Sequence, residues 1–227
     1  MQEVLLLLFI SGLGEPIGDW SSVASYSSYD EAMVLEKGEG KIGFASSNFC
    51  IFGSREDTTS YDTRTLDILG RLGVGNSMDI GFKYTSPRAG VLSIKYNFLK
   101  RSFLGSFSIG FGYMKATLMT EPENLTYYLF DIYPSLKFQK PLSSSIGILA
   151  SLNGISSYYI EEDRYDRFFN HYLGINLGLT LRKGRFCFIP EVNLYKGMTY
   201  HYDYIKGEGR EIPSVIVSFG IGFFFYP

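Results

Sequence analysis

Nine ionisable side chains sit where a two-residue period would turn them to one face: Asp67, Arg71, Asp79, Lys83, Lys95, Asp131, Lys137, Arg182 and Glu191. Five are cationic and four acidic, so their charges nearly cancel. Mixed charge of this kind has two uses. It can fill a narrow interior with a salt-bridge network, because a buried ion must be paired or wet. It can instead line a thin aqueous passage with weak ion selectivity. A second chemistry is acid–base. His201 stands in the sequence HYDY two residues before Asp203, and Asp163 and Asp166 precede it in another long connection. A His–Asp pair can activate water for hydrolysis. The other histidine is His171, and neither histidine has a serine two residues away on the same strand face. There is no phosphate loop, zinc spacing or nucleophile elbow. GVGNS (Gly73–Ser77) reads as a turn. The sequence therefore assigns no catalytic, cofactor-binding or metal-binding residue.

A shared face of this length requires strands, and ten can be drawn: 41–53, 64–73, 78–85, 90–99, 103–118, 126–139, 145–158, 169–182, 186–199 and 213–226. Period two gives each strand two faces. Leu66, Ile68, Gly70 and Leu72 oppose Asp67, Leu69 and Arg71, and Leu173, Ile175, Leu177, Leu179 and Leu181 oppose Gly174, Asn176, Gly178, Thr180 and Arg182. The last strand alternates Val215, Val217, Phe219, Ile221, Phe223 and Phe225 with Ile216, Ser218, Gly220, Gly222 and Phe224. The first strand loses its alternation near Ala45–Asn48, which predicts a bulge there. Gly43 is expected opposite Gly220 or Gly222 at a thin seam.

Connections after odd-numbered strands are mostly long and charged, as in SREDTTSYDT and YIEEDRYDR; those after even-numbered strands are short, as in VGNS and KGR. An even strand count brings both ends of the sheet to one side, so the first strand can pair with the last and remove both edges. The fold class is all-β, an up-and-down antiparallel barrel of about ten strands. Several strands are longer than the globular norm of about 5–6 residues. The polar face is rich in Gly, Ser and Asn. Aromatics gather at strand ends, with Tyr127, Tyr128, Tyr158, Tyr159, Tyr200, Tyr202 and Tyr204 toward the loops and Phe103, Phe138, Phe186, Phe225 and Tyr226 toward the turns. These features turn the apolar face outward, to lipid, with the aromatics as interfacial girdles.

Composition agrees. Among 227 residues there are 18 Tyr, 19 Phe and 25 Gly, and hydrophobic residues make up 45%. The mean hydropathy of +0.03 fits a sheet whose faces cancel. The net charge of −2, without a basic run, excludes a nucleic-acid partner. The run VLLLLFI (Val4–Ile10) is too short for a membrane helix. Followed by Ser11, Gly12 and Gly14, it reads as a signal-peptide-like segment over 1–14. Residues 15–37 are read as a periplasmic lead-in and 38–227 as the barrel. Cys50 and Cys187 fall near opposite ends and are expected as free thiols, since bridged Cα atoms lie within about 7 Å.

AMVLEKGEGKIGF (Ala32–Phe44), RLGVGNSMDIGFKY (Arg71–Tyr84) and SIKYNFL (Ser93–Leu99) resemble small bacterial outer-membrane β-barrel proteins. The closing strand is similar to their assembly signal, with Phe219, Ile221, Phe223 and Phe225 in register, although Pro227 follows where the family stops at Phe. The resemblance implies the outer membrane of a Gram-negative-type bacterium, contact with outer-membrane lipid, and engagement of the barrel assembly machinery by that strand. It implies no cofactor. The expected role is a non-enzymatic, porin-like conduit for small solutes or ions. The alternative is a structural or adhesin-like barrel with a plugged lumen. A more remote alternative is an outer-membrane hydrolase using loop-side Asp and His: omptin-type proteases also have ten strands, and lipid A deacylases also work at the barrel surface.

Overall fold

A computed structural model describes residues 29–53, 61–86, 89–100, 102–119, 124–161, 167–203 and 208–227. The strands are β1 (Gly40–Gly53), β2 (Tyr61–Gly73), β3 (Met78–Thr85), β4 (Ala89–Lys100), β5 (Leu104–Met119), β6 (Asn124–Pro141), β7 (Ile146–Glu161), β8 (Arg167–Lys183), β9 (Phe186–Asp203) and β10 (Glu208–Phe225). Each pairs antiparallel with its sequence neighbours, and β1 pairs with β10 to close the barrel. Closure satisfies every edge, which a sheet in hydrocarbon requires.

Alternation decides which face each side chain takes. Phe44, Leu92, Phe111, Leu173, Leu177 and Phe219 all stand exposed on the outer wall, with Leu173 at 71% and Leu92 at 69%. Residues one position away along the strands, such as Ala45, Ser93, Gly110, Gly174, Gly178 and Ser218, face inward. A continuous apolar belt around a closed barrel is not a surface for water; it is the lipid-facing band of a transmembrane barrel. At the turn end the belt finishes in aromatic pairs, Phe186 with Phe225 at 5.4 Å and Phe103 with Phe138 at 5.8 Å between ring centroids.

Three local expectations change. β1 pairs without interruption through Ala45–Asn48 on both sides. The pattern fades there because Ser46 and Asn48 place polar groups on the outer face, with no residue inserted. The register shift lies instead between Asn97 and Leu99, where β4 meets β5. At the seam Gly43 lies opposite Phe224, and Gly222 lies opposite Ala45. The Phe224 ring covers Gly43, and any Cβ on Gly43 would collide with it. Third, His201, Tyr202 and Asp203 belong to β9 and not to a loop, with His201 opposite Arg210 on β10, while Tyr204 lies outside the described residues. The Tyr-rich sequence of this run has strand propensity.

At the turn end Gly184 (φ +59°) opens a two-residue hairpin turn between β8 and β9, a geometry that favours glycine. Cys50 and Cys187 are both free. They sit on β1 and β9, which β10 separates. Residues 1–28, with the signal-like segment and most of the lead-in, lie outside the described residues, as do Asp163 and Asp166.

The outer belt sets a clear expectation. Leu177→Arg puts a charge into the apolar band and should lower unfolding stability in lipid by about 2–4 kcal/mol. Arg185→Ala, in the exposed turn between β8 and β9, should change it by less than about 0.5 kcal/mol. Urea titration of the folded, heat-modifiable gel band in vesicles measures both.

Candidate functional site

The inward faces of β1–β4, β6, β8 and β9 bring ionisable side chains together at the turn end. Register fixes the neighbours. Asp79 lies directly opposite Lys95, and Asp67 directly opposite Thr85, whose hydroxyl donates to it at 2.6 Å. Lys41 lies directly opposite Arg71. Two like charges in that position repel, so the wall needs an anion between them.

That anion comes from the chain itself. Residues 29–35 lie inside the barrel, with Tyr29, Asp30, Glu31, Ala32 and Leu35 buried. The Asp30 carboxylate sits between the cations. Its Oδ1 lies 3.1 Å from Lys41 Nζ and 3.1 Å from Lys95 Nζ, and its Oδ2 3.3 Å from Arg71 Nη1 and 3.9 Å from Lys137 Nζ. Glu31 takes a second position nearer the opening. It accepts from Arg182 Nη2 at 2.9 Å and from the Tyr226 hydroxyl, with Lys41 Nζ at 3.7 Å. Tyr226 thus tucks under the barrel and leaves the girdle expected for it.

Backbone groups complete the docking. Lys95 Nζ donates to the carbonyls of Glu31 at 3.1 Å and Met33 at 2.8 Å. Tyr29 N–H donates to Glu191 at 3.0 Å, Ala32 N–H to Gln139 at 3.2 Å and Leu35 N–H to Asp79 at 3.3 Å. The segment then turns through Glu36–Glu39, closed by Glu39 N–H to Glu36 C=O at 2.9 Å, with Gly38 at φ +87°. Glycine suits that left-handed position. Gly73 lets the turn lie on β2, since a Cβ there would strike the Glu36 carbonyl. Tyr29 packs with Ala45, Leu69, Leu149, Cys187, Ile189 and Phe224. Its φ of +44° is strained for an aromatic residue and is held by its N–H bond to Glu191 and the packing of its ring.

Burial disfavours charge on Asp30, yet Arg71, Lys95, Lys41 and Lys137 outweigh it and hold the carboxyl well below its usual range. Above this layer is a cavity of about 110 Å³ bounded by Tyr29, Asp30, Lys83, Tyr133, Ser135 and Tyr195. Nearer the loop end, Ile155, Tyr172, Tyr195 and Ile216 form a second buried cluster along the inner wall of β7–β10, with Phe49 and Tyr133 against it.

Of the nine residues singled out from sequence, Arg71, Asp79, Lys95 and Lys137 gather around Asp30, and Arg182 meets Glu31. Lys83 lies higher, among Asp67, Asp131 and Glu191. Sequence reasoning missed Lys41, Asp30 and Glu31. Lys41 shares the inward parity of Gly43, Ala45 and Ser47, a usable signal. The Asp30–Glu31 pair stands in an irregular stretch read as lead-in, where no period marks it. His171 is exposed on the outer wall, with Nδ1 3.1 Å from Ser156 Oγ on the adjacent strand and its ring stacked on Phe169. The serine missing from its own strand is thus supplied by β7, but among the described residues no carboxylate touches His171.

No family model matches the chain, and no curated protein matches it. Solved structures similar to it include Neisserial surface protein A (NspA), at 10% identity and TM-score 0.39 over 81% of this chain and 95% of that one. Ail, the attachment invasion locus protein of Yersinia pestis, is 11% identical with TM-score 0.32 over 83% and 99%. The outer membrane protein OprG from Pseudomonas aeruginosa is 8% identical with TM-score 0.35 over 87% and 100%. With its closed ten-strand topology, apolar outer belt and charged, packed interior, the chain is a transmembrane barrel of the outer-membrane type.

Asp30→Asn leaves four buried cations short of a counter-charge and should cost about 3–5 kcal/mol, limited by release of the segment into water. The pH dependence follows from the depressed carboxyl. Its stabilisation is fully present above the unfolded value near 4 and is lost as pH falls through the lower folded value. Melting of the folded band should therefore be flat from pH 8 to 5 and fall in stronger acid, with a smaller fall in Asp30→Asn.

Proposed function

We propose that the protein is a non-enzymatic outer-membrane barrel with a closed lumen, serving as a structural or surface-binding scaffold that presents its loops. The observation that carries this reading is the docked segment: residues 29–35 fill the turn end, with Tyr29 set among Ala45, Leu69, Leu149, Cys187, Ile189 and Phe224. Ten strands leave room for at most a thin passage, and this segment stands in it. The porin-like reading needs the segment to move. Among the described residues, the hydrolase reading has His171 beside Ser156 on the lipid face, without an acid at the ring, and His201 and Asp203 along β9. Engagement of the assembly machinery by Phe219, Ile221, Phe223 and Phe225 belongs to the same proposal; of these, Phe219, Ile221 and Phe223 stand exposed on the outer wall.

Planar-bilayer recording of the folded protein tests the closed lumen. The expected result is a silent bilayer in 1 M KCl on the order of minutes, at potentials up to about 100 mV, where a unit charge gains roughly 2.3 kcal/mol. Regular current steps from the unmodified protein would restore the conduit.

A further inference from the structure

The wall of the lumen is not neutral by itself. Among the described side chains, six cations face inward: Lys41, Arg71, Lys83, Lys95, Lys137 and Arg182. Four wall carboxylates oppose them, Asp67, Asp79, Asp131 and Glu191. Asp30 and Glu31 supply the two negative charges that close the balance, and they arrive on a segment that is not part of the sheet. The cations are also not placed as partners for wall acids alone. Lys41 and Arg71 are directly opposed, and both approach one external carboxylate together with Lys95.

We propose that Lys41, Arg71, Lys95 and Lys137 form an oxyanion-binding site, and that Asp30 is its tethered occupant, displaceable by a free carboxylate or phosphate arriving from the turn end. Both oxygens of Asp30 are engaged, Oδ1 by two ammonium groups and Oδ2 by Lys95 and a guanidinium. This is the arrangement by which proteins hold carboxylate and phosphate groups. The route in is short. Residues 36–39 are exposed at the opening, and the Arg182 side chain there is 31% exposed. The cavity of about 110 Å³ that Asp30 lines on its inner side gives the displaced carboxylate space. The inference rests on the docked position of residues 29–35 but does not require that the lumen be closed to ions.

Chemical rescue tests it. Asp30→Ala removes the carboxylate and leaves an anion-sized gap among the four cations. Its melting midpoint should fall, then rise with the logarithm of added acetate or inorganic phosphate, as ligand linkage requires, while equal chloride has a smaller effect. Adding Lys95→Met should abolish the rescue. In the unmodified protein, phosphate should speed amide exchange of residues 30–35 severalfold at constant ionic strength. If Asp30→Ala folds only in the presence of anion, refolding yield in acetate against chloride is read instead. Absence of rescue, rescue that survives Lys95→Met, or exchange indifferent to phosphate would each overturn the proposal. Current through the unmodified protein would sink the closed-lumen reading alone, because the anion site makes no demand on conductance.

Discussion

Asp30 is held where four cations from four different strands converge, and the interior at the turn end depends on that contact. Lys41, Arg71, Lys95 and Lys137 come from β1, β2, β4 and β6. In a low-dielectric interior their mutual repulsion is strong; Asp79 on β3 relieves Arg71 from the wall, while Lys41, directly opposite Arg71, is met by Asp30 and Glu31. One carboxylate placed between them converts repulsion into attraction. Every other feature of the segment serves that placement: the Lys95 bonds to two carbonyls, the N–H groups given to Glu191, Gln139 and Asp79, and the Tyr29 ring set into the apolar cluster. Ion pairs buried this way add little net stability over apolar packing, but breaking one is costly. Their effect is to select one position for the segment among many.

The two faces of the sheet answer to different solvents. Outside, lipid accepts Phe, Leu and Ile, and closure of β1 on β10 leaves no unpaired backbone. Inside, the barrel is too narrow for bulk water, so polar side chains pair with each other. Ser135 donates to Asn153 at 2.6 Å, Asn176 to Asn193 at 2.7 Å, and Ser47 meets Thr65 at 2.7 Å. A segment docked among these side chains is what favours the proposed plugged barrel over an open passage.

How much of this could be read from the sequence varies with the physics. The ten strands were legible because a two-residue period is imposed on each strand by the boundary between lipid and interior. Where both faces carry small polar groups, as at Ala45–Asn48, the period vanishes and imitates a bulge that is not there. The true irregularity at Asn97–Leu99 hides within a strongly alternating strand. The nine inward ions followed from parity alone, whereas their partner Asp30 did not, because residues 29–36 form no strand and take their conformation from the barrel around them. Tyr226 was misplaced for a similar reason: it follows the last strand residue and turns inward to Glu31, which is visible only once the segment is in place.

The central claim is that residues 29–35 occupy the lumen on the cations of β1, β2, β4 and β6. The most direct measurement is an NMR experiment on the protein in lipid nanodiscs, with methyl labels on Leu149 and Ile189. The account expects nuclear Overhauser contacts from the Tyr29 ring to both methyl groups, as their shared buried cluster requires. Random-coil shifts for residues 29–35, with no contact from Tyr29 to either methyl, would contradict it.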